Sequence, residues 1–318
     1  MKSSTSDVCT LFEGGYHPGV GALANSLHAC GFRGTLWVGF RGDLPPWAPS
    51  DASGSEAGMP LPDGMRLRFV PLETSDHLTN HKPDFMLRVA DLAPAATRFL
   101  YLDPDIVVRA PWAFFEDWMD AGVASVEDVN SPLDDSHPRR ASWRKYYEPR
   151  GLTLRTRTPV YVNGGCLGVT RGNLGFLTLW RDIQLMMAEA IGGLGAANIG
   201  GGQMREGQGH PGFCFNKTDQ DALNVAMMAW NGEISVMGRE AMDFAPGGYV
   251  MSHALGAPKP WAKSYLRCAL DGFPPTRADK EFWNHVSTPI PVFSPAVARR
   301  RGAAMAAASF LGRFYHRQ

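Results

Sequence analysis

Two aspartates one residue apart follow an apolar run in Tyr101-Leu-Asp-Pro-Asp-Ile-Val-Val108. Side chains at i and i+2 of an extended chain point the same way, so Asp103 and Asp105 can share one divalent cation. The carboxyl end of a buried strand is also where open α/β sheets bind their ligands. An acidic turn that simply ends a strand is the alternative. Ser252-His-Ala-Leu-Gly-Ala-Pro-Lys-Pro-Trp261 offers His253 as an imidazole ligand, with Gly256 and Lys259 placed to meet phosphates. Read alone, that histidine is equally a structural one. Tyr161-Val-Asn-Gly-Gly-Cys-Leu-Gly168 interrupts an apolar strand with Asn163, Gly164 and Gly165. Glycine inside a strand marks a bulge or a close approach to a ligand, and Asn-Gly also favours a hairpin turn. Asp219-Gln-Asp-Ala-Leu-Asn224 opens a helix, where Asp219 either caps it or, with Gln220, turns polar groups into a site.

These motifs begin at residues 103, 163, 219 and 253, in the order used by glycosyltransferase family 8, the galactosyltransferase and glycogenin-like group. The chain resembles that family over nearly its whole length, and the His-x-x-Gly-x-x-Lys-Pro-Trp stretch is the most specific part of the likeness. The resemblance implies a GT-A type fold, an α/β architecture with a mostly parallel central sheet and helices on both faces. It implies that Asp103, Asp105 and His253 hold Mn²⁺ on a nucleotide diphosphate, and two carboxylates with one imidazole suit that ion, with Mg²⁺ also admissible. Gly256 and Lys259 match positions that contact the diphosphate. Tyr16 matches an aromatic that stacks on the base, usually uracil, and Asn163, Gly164, Gly165, Asp219 and Gln220 match positions around the donor sugar. Asp219 and Gln220 are its expected catalytic groups. The implied activity is transfer of a sugar from a UDP-sugar to a hydroxyl of a carbohydrate or glycolipid acceptor, with retention of configuration.

The chain departs from the family at Phe12-Glu-Gly-Gly-Tyr16, where many bacterial members carry acidic residues and asparagine, so Phe12 joins Tyr16 as a candidate beside the base. The family's basic residue on the helix before the metal strand has two candidates here, Lys82 and Arg88. Glu127 and Asp128 follow the next strand and are candidates to meet the acceptor or donor hydroxyls, though they read first as solvated surface carboxylates.

The elements that must position these residues alternate. Strands are expected at Val8–Phe12, Thr35–Phe40, Met65–Val70, Arg98–Leu102, Val123–Val126 and Val160–Val169. Helices are expected at Val20–Cys30, Pro83–Leu92, Pro111–Met119, through Met187 and from Asp219. Arg139, Arg140, Arg144 and Lys145 read as a basic loop. Strands alternating with helices imply a mostly parallel sheet covered on both faces. Residues 1–294 read as one domain and 295–318 as a helical tail, and the nine glycines between Gly192 and Gly212 suggest a lid.

The 318 residues carry 31 Lys plus Arg against 31 Asp plus Glu, so no net basic field recruits nucleic acid. Five cysteines stand singly, without the short spacing of zinc or redox motifs, which fits a reduced, cytosolic compartment. The opening MKSSTSDVCTLFEGG lacks the apolar run of a signal peptide. In the tail, Arg299, Arg300, Arg301, Arg313 and Arg317 accompany Phe310, Leu311, Phe314 and Tyr315, a composition suited to the cytoplasmic face of an anionic membrane or to docking on the protein itself. Two other readings of the whole chain stand beside the transferase. One is a haloacid-dehalogenase-type phosphatase, which also uses an aspartate pair after a strand but earlier in its chain. The other is a non-catalytic sugar-binding relative, which need not keep Asp103, Asp105, His253 and Lys259 together.

Overall fold

The computed structural model describes residues 6–52, 58–195 and 214–314. Most of the glycine-rich stretch expected as a lid, together with Tyr315 and Arg317 of the tail, lies outside them.

From the amino terminus come β1 (Ser6–Glu13), α1 (His17–Ala29), β2 (Thr35–Arg41), the two-residue β3 (Met59–Pro60), β4 (Arg66–Pro71) and α2 (Lys82–Leu92). They are followed by β5 (Arg98–Leu102), β6 (Ile106–Val108), α3 (Trp112–Asp120), β7 (Val123–Glu127), α4 (Pro138–Tyr147) and β8 (Val162–Thr170). The chain continues through α5 (Gly175–Ile191), α6 (Thr218–Ala229), β9 (Ile234–Met237), β10 (Met251–His253), α7 (Tyr265–Leu270), α8 (Arg277–Asn284) and α9 (Pro295–Leu311). One large sheet has the order β3-β4-β2-β1-β5-β8-β7-β9. Strands β4, β2, β1 and β5 run parallel, β8 is antiparallel to both its neighbours, and β9 is parallel to β7.

Alternation along the strands builds a core on each face. Cys9 and Leu11 of β1, Phe99 and Tyr101 of β5, and Leu167 and Val169 of β8 pack with α2, α5 and α6. Val8, Phe12, Leu100, Leu102 and Cys166 face the other way and pack with α1 and α3. Burial on both faces is why these strands read as continuous apolar runs. A third cluster joins Ala22 of α1 to Tyr265, Phe282, Trp283, Met305 and Ala308, so the inner face of α9 docks on the protein itself.

One expectation about local structure is corrected, and two open alternatives are decided. The basic residues 139–145 form α4, with Pro138 in its first turn and the His137 ring accepting from the Arg139 amide. Asn163-Gly164-Gly165 lies within β8, not in a hairpin turn. Asp219 does not cap α6, because the helix starts at Thr218 and the Asp219 carboxylate turns to Lys82. No helix among the described residues is long and apolar enough to cross a membrane.

Candidate active site

Strand β5 ends at Leu102, and the turn Asp103-Pro-Asp105 carries the chain into β6. Helix α1 supports that turn directly: a Cβ on Gly19 would stand 2.3 Å from the Pro104 carbonyl oxygen, so only glycine allows this approach. A small second sheet completes the site. Strand β10 pairs antiparallel with β6, His253 opposite Ile106, which delivers an imidazole to aspartates about 150 residues earlier in the chain. One ligand atom from each of Asp103, Asp105 and His253 lies within 4.8 Å of the others. His253 Nε2 is 3.3 Å from Asp105 Oδ1 and 4.0 Å from Asp103 Oδ2. Carboxylate, carboxylate and imidazole at this separation fit one divalent cation.

Two lysines serve this cluster differently. Lys82, 2% exposed, donates to the Gly164 carbonyl at 2.8 Å and to Asp219 Oδ2 at 3.0 Å, and lies 3.1 Å from Asp103 Oδ1. Burial works against its charge, but Asp103 and Asp219 outweigh burial and raise its pKa above the ordinary lysine value. Lys259 donates to Asp105 Oδ2 and, at 2.8 Å, to the Ala254 carbonyl. Burial likewise opposes the charge of Asp105, and His253 and Lys259 together hold its carboxyl well below the usual carboxylate range. Tyr101 donates its hydroxyl to Asp103 Oδ1 at 2.9 Å.

The glycines of β8 form the floor. The Asp103 amide bonds to the Gly165 carbonyl at 2.8 Å. A Cβ on Gly165 would lie 2.8 Å from Asp103 Oδ2, 2.8 Å from His253 Cε1 and 2.9 Å from Asn163 Oδ1, so no larger residue fits between Asp103, His253 and the strand. Gly164 donates to Gln220 Oε1 at 3.0 Å, while the buried Gln220 Nε2 has no partner among the described residues and is a donor available to a ligand. Asn163 donates to Asp128 Oδ2 at 2.6 Å. Asp128 is 1% exposed and so is part of this network, not the solvated surface group expected. Glu127 pairs instead with Arg239 at 3.5 Å.

Around the rim, Tyr16 is 40% exposed, stands edge-on to Trp261 at 5.7 Å and lies 5.9 Å from Lys259 Nζ. Gly256 adopts φ +73°, which side chains other than glycine rarely adopt, and so lets the loop carry Lys259 back over Asp105. Phe12 is not with them: it is buried and stacks on Phe40 in the core. Of the two basic candidates on α2 the structure brings in Lys82 and leaves Arg88 exposed. Helical periodicity carried that distinction, since Lys82, Phe85, Met86 and Val89 share the buried face.

Asp221, which sequence reasoning passed over, is fully buried behind the site. It accepts from the Tyr161 hydroxyl at 2.7 Å and the Lys217 amide at 2.8 Å, with Arg139 at 3.5 Å. Burial dominates and raises its pKa from 3.8 to about 6. The folded protein therefore holds this proton more tightly than the unfolded chain, and the stability it contributes is full below pH 4 and lost as pH rises through 6. Relative to Asp221→Asn, the wild type should lose about 2 kcal/mol between pH 4 and 7, less than the full two pKa units because the unfolded carboxyl is already partly ionised at pH 4. Urea unfolding of both proteins at the two pH values checks this, and a constant difference would show that Asp221 titrates normally.

No family model matches the chain, and no curated protein matches it significantly. Among solved structures it is similar to the galactosyltransferase LgtC in complex with donor and acceptor sugar analogues, at 15% identity and TM-score 0.51, over 93% of this chain and 99% of that one. An active-site mutant of LgtC gives 16% identity and TM-score 0.50 over the same shares. The glycosyltransferase GlyE of Streptococcus pneumoniae TIGR4 gives 14% identity and TM-score 0.48, over 95% of this chain and 64% of that one. At such identities the likeness to LgtC establishes the fold. The chain has the GT-A fold of glycosyltransferases, as the resemblance implied, and within that fold it carries a DxD-like group, Asp103-Asp105-His253.

Proposed function

We propose that this protein is a metal-dependent glycosyltransferase that moves a sugar from a nucleotide diphosphate donor, a UDP-sugar, to a hydroxyl of a carbohydrate or glycolipid acceptor with retention of configuration. The observation that carries the reading is the gathering of Asp103, Asp105 and His253 within 4.8 Å at the carboxyl end of β5. These three would hold Mn²⁺, with Mg²⁺ as the alternative, and the cation would supply charge neutralisation of the departing diphosphate. Lys259 adds a positive charge on the same side of the site, where negative charge develops as the glycosidic bond breaks. Tyr16, 40% exposed at the rim, would stack on the base. Asn163, Gly164 and Gly165 line the donor-sugar side, and Gln220 and Asp219 are the groups placed to stabilise the cationic sugar. Five cysteines, all free, suit a cytoplasmic setting.

Incubating the protein and Mn²⁺ with UDP-, GDP- and dTDP-sugars, and following nucleotide release by slow hydrolysis, tests this without an acceptor. One UDP-sugar should be cleaved in preference. Phosphate release from a simple phosphomonoester, with no nucleotide sugar cleaved, would favour the phosphatase alternative. Nucleotide-sugar binding without any cleavage or transfer would favour a non-catalytic relative.

We also propose that the outer face of α9 rests on an anionic membrane surface. Support comes from Phe310 on α9 and Phe314 just past its end, 57% and 70% exposed and in ring contact, and from Leu270 and Phe273 at the end of α7, which packs on α9, at 59% and 74%. The exposed Arg299, Arg300 and Arg313 would add ~1 kcal/mol each at an anionic surface, whereas Arg301 turns inward to the Lys263 carbonyl. The inner face of α9 covers Trp283 and Tyr265, so deleting the helix would uncover core. The sounder variant is Phe310→Ser with Phe314→Ser. It should sediment with phosphatidylserine liposomes several-fold less than the wild type, and both should release at high salt. Equal, salt-insensitive sedimentation would remove the membrane role.

A further inference from the structure

The two lysines at the aspartate pair differ in what holds them, and the difference bears on how a cation enters. Lys82 is buried and shared among Gly164, Asp219 and Asp103, so it has nowhere to go. Lys259 has one charged partner, Asp105, and one neutral one, the Ala254 carbonyl. Its stem belongs to a loop whose residues 255–258 are all exposed, anchored by His253 on one side and Pro260 on the other. Four rotatable side-chain bonds and an exposed loop give this ammonium freedom that Lys82 lacks.

Both carboxylate oxygens of Asp105 are engaged, Oδ1 facing His253 and Oδ2 bonded to Lys259. A divalent cation binding on Oδ1 would stand beside the ammonium already on Oδ2, and the repulsion between the two favours release of the mobile one, since Lys82 has no way out. Charge balance points the same way. Asp103, Asp105 and Asp219 against Lys82 and Lys259 leave one net negative charge. A divalent cation alone would reverse that sign, whereas a cation arriving with a diphosphate keeps the site negative and gives the displaced ammonium a new anion.

Resting on the glycosyltransferase reading above, we infer that Lys259 is a tethered counter-cation: it competes with the metal for Asp105 and passes to the diphosphate when metal and nucleotide bind together. The protein therefore binds the divalent cation weakly by itself and strongly with nucleotide, which ties metal retention to the presence of the donor.

The test is calorimetric titration of the full chain with Mn²⁺ alone and with UDP at saturating Mn²⁺, for the wild type, Lys259→Met and Lys259→Gln. Removing the ammonium should tighten Mn²⁺ alone by about tenfold or more and weaken UDP by about tenfold or more, the worth of one charge-assisted hydrogen bond in each direction. Lys259→Gln, which keeps a donor for Ala254 but no charge, should behave as Lys259→Met does. A simple phosphate-binding lysine would lose UDP affinity without gaining Mn²⁺ affinity. Unchanged or weaker Mn²⁺ binding in both variants, with wild-type binding of Mn²⁺ and UDP intact, overturns the inference alone. A wild type that binds no UDP with Mn²⁺ overturns the functional reading and this inference with it.

Discussion

Asp103→Asn is expected to abolish Mn²⁺-dependent binding of UDP, a loss of about 100-fold or more in affinity. The side chain is close to isosteric, so the effect isolates charge. Asp103 stands between Lys82 at 3.1 Å and His253 at 4.0 Å, with the Tyr101 hydroxyl on its Oδ1. Neutralising it removes one of two anionic ligands while Lys82 remains, so the cluster falls from one net negative charge to none and its pull on a cation is lost. Calorimetry in Mn²⁺ reads the result directly. Wild-type affinity in this variant would mean that the metal and nucleotide bind elsewhere.

Lys82→Met should destabilise the fold by about 3 kcal/mol, because truncating one partner of a buried ion network strands the others. Asp219 and Asp103 would then face each other across the space of the lost ammonium, and the Gly164 carbonyl would lose its donor. The carboxylates are 13% and 23% exposed, so water relieves part of the penalty and the lower end of the usual range applies. Adding Asp219→Asn should recover part of the loss, since the stranded charge is the cost. Urea unfolding of the single and double variants measures both. A single variant within about 0.5 kcal/mol of the wild type would make the network an incidental surface pairing.

The strands were legible because burial on both faces turns β1, β2, β5 and β8 into apolar runs between helices. Four arginines and lysines hid α4, although Pro138 in its first turn marks a helix start. Helices α7 and α8 were passed over too, despite Thr276 and Asp279, which form a capping box opening α8. The site residues carried their own chemical signatures, but their assembly did not. His253 reaches the aspartates only because β10 pairs with β6, a register between segments far apart in sequence that no local pattern encodes. Asp128 looked like a surface carboxylate because only the tertiary fold brings the Asn163 amide against it. Its burial depends on that partner.

The central claim is that a divalent cation on Asp103, Asp105 and His253 secures a nucleotide diphosphate. The most direct measurement is titration of UDP into the wild-type protein in Mn²⁺ and, separately, in excess EDTA. The account predicts saturable binding at one site in Mn²⁺ and a loss of about 100-fold or more in EDTA, since without the cation the diphosphate meets a cluster that still carries net negative charge. Equal affinity in the two titrations would contradict it.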